Sequence, residues 1–359
     1  MFLILALMHF VIYQALVSIF LLSLIWRLIL VIALVLLCLS FILISFLGFY
    51  FDNLITRISY KISAVWLGFA FYLFLVSLVY FLVFEIVHVL GLDTSLKPFG
   101  ILCFVSAVIV SIYGVIHART ILVKYINVSL PHLPKEWEDK NILWVSDIHL
   151  GTVNGKNYLK KLVKKINEIN PDIIFIGGDL YDGVKVDEYA IIEPLADLHP
   201  ALGTYFITGN HEEFRDYRIY TEPIQKIGIR FLNNELIEIN GLQLIGVDDR
   251  DSINAEKFKS ILEKFKIDKN RPSILLKHQP SGLDIAEKAG VSLQISGHTH
   301  LAQVWPLNIL TCLFFKGYDY GFHRWREMAV FTSSGVGTWG PPLRVGSDSE
   351  IIVFKFKAK

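Results

Sequence analysis

Ile142-Leu143-Trp144-Val145-Ser146-Asp147-Ile148-His149 is an apolar run that ends in an aspartate and a histidine two positions apart. Four consecutive apolar residues bounded by a polar turn read as a buried strand. Period-two geometry then aims Asp147 and His149 to the same side of its end. The arrangement recurs downstream. Ile173–Ile176 leads into Gly177-Gly178-Asp179, and Thr204–Thr208 into Gly209-Asn210-His211. Ile274–Leu276 is followed by His278, and Ser292–Ile295 by Gly297-His298-Thr299-His300. Amphipathic stretches separate the runs. In Tyr158–Ile169, Leu159, Leu162, Val163, Ile166 and Ile169 make one stripe with lysines opposite, and Pro171 stops the helix. Ile191–Leu198 (interrupted by Pro194), Ile219–Ile227, Phe258–Phe265 and Leu283–Ala289 read as further helices, and Asn240-Gly241 turns a hairpin between Leu236–Ile239 and Leu242–Val247. Ala329–Thr332 and Ile351–Phe356 are late strands of antiparallel character. The β-α-β order predicts an α/β sandwich with a mixed sheet over residues 141–359. Sites in such sheets gather outside the carboxyl ends of strands.

These strand-end residues make a donor set rich in His and Asp and free of Cys. Such a set suits manganese, iron or zinc rather than a thiolate site. There are enough ligands for two ions side by side, and two ions about 3.5–4 Å apart can hold a phosphate, neutralise its charge and activate a water for in-line attack. A bridging carboxylate is required, and Asp179 is the natural choice. His211, next to the ligand Asn210, is placed to give a proton to the leaving oxygen. Each piece alone is uninformative, since a single Gly-Asp or an isolated His278 is common in any chain. Their ordered series after successive strands is not.

Composition places this domain against a membrane. The chain has 359 residues, 53% hydrophobic and 19% charged. The apolar excess is concentrated at the start, where residues 1–51 hold Arg27 as their one charged residue. Runs of about 20 apolar residues can cross a bilayer. Spans are expected near 4–25, 28–50, 62–84 and 99–118, with the first reversal near Trp26-Arg27 and a polar stretch at 52–61. No basic segment precedes the first run, which disfavours a cleavable signal. Arg57, Lys61, Arg119 and Lys124 fall on the side of the termini, against Arg27 and Lys97 on the other. The positive-inside rule then predicts a multi-pass protein of the cell membrane with its C-terminal domain in the cytoplasm. Residues 119–140, with Pro131 and Pro134, read as a linker. A net charge of +1 gives no field for nucleic acid, and three scattered cysteines imply no disulfide framework.

The series Asp147-x-His149, Gly178-Asp179, Gly209-Asn210-His211-Glu212, His278 and Gly297-His298-Thr299-His300 resembles the calcineurin-like metallophosphoesterases. The resemblance runs from about Ile142 to the C-terminus and includes all five motifs. It implies that Asp147, His149, Asp179 and His300 hold one metal, and that Asp179, Asn210, His278 and His298 hold the other. It implies a non-ligand catalytic role for His211. A membrane-anchored subgroup, the transmembrane proteins with a metallophosphoesterase domain, is similar also in Gly246-Val247-Asp248-Asp249 and in residues 335–344. That subgroup usually has two glycines and a glutamine after the last histidine. Leu301-Ala302-Gln303 stands here instead, so this loop is expected to be stiffer.

The expected activity is hydrolysis of a phosphoester or pyrophosphate bond by two divalent ions, on a lipid or lipid-linked substrate at the membrane. The catalytic domain is similar to UDP-2,3-diacylglucosamine hydrolases, which supplies one candidate substrate by analogy. Two alternatives stand beside it: a protein phosphatase, and a membrane scaffold or transport component whose soluble domain senses metal. Arg344 is a candidate phosphate contact, or else a surface arginine after Pro341-Pro342. Asp248 and Asp249 are candidate acceptors for ligand imidazoles, or a solvated turn. Trp305–Arg326 mixes aromatic and basic residues, which suits a bilayer surface or a cap packed as core.

Overall fold

The computed structural model describes residues 2–51, 53–183, 186–213 and 215–359; Asp52, in the polar stretch between the second and third spans, lies outside them. Contacts divide the chain into two units, 1–117 with Gly340–Val345, and 118–339 with 346–359.

The first unit is helical: α1 (Phe2–Phe20), α2 (Leu24–Tyr50), α3 (Leu54–Val89) and α4 (Lys97–His117). The shortest has 19 residues, a rise of about 28 Å. All four are long and apolar enough to cross a membrane. The first reversal lies at Leu21–Ser23, ahead of the expected position. Leu21 takes a left-handed φ of 49°, and Arg27 enters α2, its Nε donating to Leu22 O at 2.8 Å. The third helix also starts early. Asn53 and Thr56 cap it reciprocally, each side chain accepting from the other's backbone N–H at 3.0 and 3.1 Å. Several polar side chains inside the spans find partners within the protein, as apolar surroundings require. Ser77 and Ser111 donate to carbonyls one turn back, and Trp66 Nε1 donates to His9 Nε2 at 3.0 Å.

Gly340–Val345 packs within this unit. The Arg344 backbone N–H donates to Gly114 O at 2.9 Å. Gly68 and Gly114 make room for Leu343; a Cβ on Gly68 would stand 1.9 Å from Leu343 Cδ2. Arg344 is wholly buried. The structure therefore corrects the reading of this residue as a surface arginine.

The second unit contains, in order, β1 (Ile121–Leu130), β2 (Ile142–Val145), α5 (Lys156–Ile169), β3 (Ile173–Ile176), α6 (Glu188–Ile192), β4 (Thr204–Phe206), α7 (Arg218–Lys226), β5 (Arg230–Phe231), β6 (Glu235–Ile239) and β7 (Leu242–Gly246). It continues with α8 (Asp249–Ile253), α9 (Ala255–Phe265), β8 (Ser273–Leu276), α10 (Leu283–Ala289), β9 (Leu293–Ser296), α11 (Asn308–Phe314), β10 (Gly321–Trp325), β11 (Met328–Thr332) and β12 (Ser349–Ala358). Two six-stranded mixed sheets form, ordered β1-β12-β2-β3-β4-β5 and β10-β11-β9-β8-β7-β6. Their inner faces share one core, including Trp144, Phe175, Leu244, Ile274, Ile295, Phe331 and Phe354. The outer face of the first sheet packs on α5, α6 and α7 through Leu159, Leu162, Ile166, Ile192 and Ile224. The outer face of the second packs on α9 and α10 through Phe258, Leu262 and Ala286. This is the α/β sandwich with mixed sheets that the pattern predicts.

Two expectations need correction. Residues 121–130 are not a linker but a strand that pairs in parallel with β12 along its whole length. Ile126, Val128 and Leu130 alternate into the core, and Pro131 marks only the strand's end. The late strands are mixed in pairing: β11 is antiparallel to β10 but parallel to β9, and β12 antiparallel to β2 but parallel to β1.

Candidate metal centre

The carboxyl ends of β2, β3, β4, β8 and β9 converge on one buried cluster. β2 stops at Val145, so Asp147 and His149 are presented by a turn rather than by strand alternation. Both take left-handed φ values, 56° and 51°, as do Asp179 (49°), His298 (72°) and His300 (50°). Non-glycine residues hold this conformation at a cost of about 1–3 kcal/mol each, and such strain clusters at functional sites. Backbone bonds fix the turn: Asp147 N donates to Gly178 O and His149 N to Asp179 O, both at 3.0 Å. Glycine is required where loops touch. A Cβ on Gly209 would stand 2.2 Å from Asp179 Oδ1.

Three groups of side chains bring ligand atoms within 4.8 Å of one another: Asp147, His149 and His300; Asp179, His278 and His298; and His149, Asp179 and His211. The first falls within one of the two sets that the resemblance implies and the second within the other, and Asp179 also stands in the third. His149 Nε2 lies 3.0 Å from His300 Nε2. His278 Nε2 lies 3.1 Å from Asp179 Oδ2. Because His278 Nδ1 donates to Gly177 O at 2.8 Å, its Nε2 presents a lone pair to a carboxylate. Two acceptors at that distance repel unless a cation or proton lies between them. His278 Nε2, His149 Nδ1 and Asn210 Oδ1 are buried without a hydrogen-bond partner. Burial works to lower the His278 pKa, but the Asp179 carboxylate overrides it and holds the imidazole well above its ordinary value. The pocket calls for positive charge, and the donor set fits divalent metal.

His211 sits at the edge of the cluster. Its backbone N–H donates to Asp179 Oδ1 at 2.9 Å, and its Nδ1 is 3.2 Å from Asp182 O. Its ring meets His149 edge-on at 4.6 Å and Trp339 at 6.0 Å. Burial keeps its pKa below the ordinary histidine value.

Two acids, buried Glu212 and half-buried Asp182, complete the site and were not singled out in the sequence. Glu212 accepts backbone N–H bonds from Gly209 at 2.7 Å, Asp179 at 2.9 Å and Tyr181 at 3.1 Å. It ties the loops after β3 and β4 together. Its place in Gly-Asn-His-Glu was the signal available. Asp182 lies with Oδ1 3.5 Å from His149 Nδ1; its only mark in sequence is a position three residues after Asp179. Asp248 and Asp249 are buried, which corrects the solvated-turn reading. Asp248 accepts from Thr208 Oγ1 and Asp249 from Gln279 Nε2. They brace the loops that carry Asn210 and His278. In the loop after His300, Leu301, Ala302 and Gln303 all take left-handed φ values of 50–63°, a conformation that glycine adopts without strain.

Residues 140–302 match the model of the calcineurin-like phosphoesterase domain. An uncharacterized metallophosphoesterase of Campylobacter jejuni is 31% identical over 325 residues, 88% of this chain and 86% of that one. Another from Aquifex aeolicus is 33% identical over 70% of this chain and 98% of its own length. The zebrafish transmembrane protein with metallophosphoesterase domain is 32% identical over 70% of this chain, which spans 61% of that protein. The fold, the buried donor set and these relatives lead to one conclusion: the chain belongs to the calcineurin-like metallophosphoesterase family of metal-dependent phosphoester hydrolases.

Proposed function

We propose that this protein hydrolyses a phosphoester or pyrophosphate bond of a lipid-linked substrate at a dinuclear centre facing the cytoplasm from the cell membrane. The observation that carries the reaction is the convergence of Asp147, His149, Asp179, His278, His298 and His300, beside which His149 Nδ1, Asn210 Oδ1 and His278 Nε2 are buried without a hydrogen-bond partner. Asp147, His149, Asp179 and His300 would hold one divalent ion, and Asp179, Asn210, His278 and His298 the other. Such a pair supplies Lewis-acid stabilisation of the phosphoryl oxygens and a nucleophile at neutral pH. The protein's own groups do the remainder. Glu212 fixes Asp179 against Gly209, and Asp182 orients the rings of His149 and His211. His211 stands beside the ligands as the group proposed to serve the departing oxygen in proton transfer. Trp339 covers it from one side.

Four helices fit to cross a membrane favour a substrate drawn from the bilayer. A UDP-diacylglucosamine-like pyrophosphate is one member of that class. The rival reading, a sensor that binds metal without turnover, has no use for a buried histidine beside the ligands. Replacing His211 with alanine separates the two. Our reading expects both ions retained and hydrolysis of bis-p-nitrophenyl phosphate reduced ~10²–10⁴-fold. A wild-type chain that binds two ions and turns over no phosphoester would favour the sensor.

A further inference from the structure

Trp305–Phe314 exposes five large apolar side chains in ten residues: Trp305 55%, Ile309 54%, Leu310 60%, Leu313 72% and Phe314 79%. α11 buries no residue at all. An apolar helix with no core to face is unusual in a soluble domain, and a contiguous patch of this kind marks an interaction surface. It is also held firmly. Thr311 Oγ1 donates to Asp319 Oδ2 at 2.9 Å, and Thr299 Oγ1 to Asp319 O at 2.6 Å. Asp319 thus ties α11 to the turn that carries His298 and His300. Phe315, next in the chain, sets its ring edge-on to His298 at 6.2 Å. The exposed face begins where the ligand cluster ends.

We propose that α11 and Trp305 form an interfacial lip that dips into the bilayer beside the metal centre. The occupant is the bilayer, for three reasons. The same chain carries four helices fit to span one. Only residues 118–120 separate α4 from β1, a reach of about 10 Å, so a bilayer crossed by α4 is near at hand. The patch is apolar in body with exposed Lys316 at its end, the composition of a segment lying in the headgroup boundary. The lip corrects the broader sequence reading of Trp305–Arg326. Trp325 packs against the core and Phe315 lies against His298, so neither belongs to the membrane surface. A phosphoester lipid would keep its tail along Leu310, Leu313 and Phe314 while its phosphate reached His298. That route rests on the lipid reading above; the bilayer contact does not.

Cys312 lies exposed on α11, while Cys38 and Cys103 lie in the spanning helices. The full chain carrying Cys38→Ser and Cys103→Ser is labelled at Cys312 with an environment-sensitive fluorophore and reconstituted into phosphatidylcholine–phosphatidylglycerol vesicles. The expected result is quenching by spin-labelled lipid, and its loss in a Leu310→Glu/Leu313→Glu variant. A label on exposed Lys264→Cys, in a cysteine-free background, should stay unquenched. The same double variant should lose at least ~10-fold in kcat/KM toward a vesicle-borne phosphoester while its hydrolysis of soluble bis-p-nitrophenyl phosphate is unchanged. An unquenched Cys312 label overturns the lip. So does quenching that survives the two glutamates, since the probe alone would then explain it. Because quenching needs no turnover, the lip can fail while the phosphoesterase reading stands, and the reverse.

Discussion

Glu212→Ala should be the most damaging single change outside the ligands themselves. The carboxylate receives three backbone N–H groups, at 2.7, 2.9 and 3.1 Å, from the two loops after β3 and β4. Alanine leaves three buried donors unpaired, each costing about 1–3 kcal/mol. A water admitted to the vacated space would recover part of that, so the net loss should be roughly 3–5 kcal/mol. For a domain of this size that is a fall in Tm of about 6–20 °C. The loss should also reach the metals. Asp179 is tied to Glu212 through its own backbone N–H, and its carboxylate lies beside both ligand sets. Manganese affinity should fall about 10–100-fold, the usual effect of removing a group that orients a ligand. Glu212→Gln should be intermediate, since its amide oxygen can accept two donors while its NH₂ meets the third. The assay is thermal unfolding of the full chain in detergent, metal-free and manganese-loaded, with manganese titration of each variant. A Glu212→Ala protein within about 2 °C of wild type, with unchanged manganese affinity, would refute the reasoning.

Gly209→Ala places a methyl 2.2 Å from Asp179 Oδ1 and 2.5 Å from its backbone N; manganese titration should show about a 10-fold or greater loss of affinity while the sandwich still folds. Ala302→Gly should not destabilise, because relief of left-handed strain (φ 55°), worth about 1–2 kcal/mol, offsets the roughly 0.4–1 kcal/mol of added chain entropy; a Tm clearly below wild type would contradict this. Burial and neighbouring Asp248 raise the Glu213 carboxyl from 4.5 to about 7. Its folded pKa lies above the unfolded one, so the folded state keeps the proton longer. Stability from this group is present below pH 4.5 and is lost as pH rises through 7. Unfolding measured from pH 4.5 to 8 should show that decline in wild type, and the decline should be smaller in Glu213→Gln.

The ligand cluster was readable because its chemistry is local. Each donor follows an apolar run at a strand end, so strand recognition and residue type together pointed to Asp147, Asp179, Asn210, His278 and His298. Their conformation was not readable: the left-handed turns at Asp147, His149 and His300 are imposed by loops from other strands. Glu212 was visible as a letter in a motif, but its role depends on three N–H groups brought to it by the fold. β1 was missed because Pro131 and Pro134 dominate the local composition. Its partner, β12, lies more than two hundred residues away, and parallel pairing over that distance leaves no short-range mark. The buried Arg344 was missed for the opposite reason. A charged residue after two prolines reads as surface, and only the small Gly68 and Gly114 reveal that the segment beside it is received by helices. α11 gave no helical stripe because it has no buried side to define one.

The central claim is that the buried donor set around Asp179 binds two divalent ions, and the direct measurement is metal content. The full chain in detergent, dialysed with manganese and then freed of excess, should carry two ions per chain by elemental analysis. His278→Ala should carry one. A wild-type chain that retains none, or that retains one unaffected by loss of His278, would contradict the account.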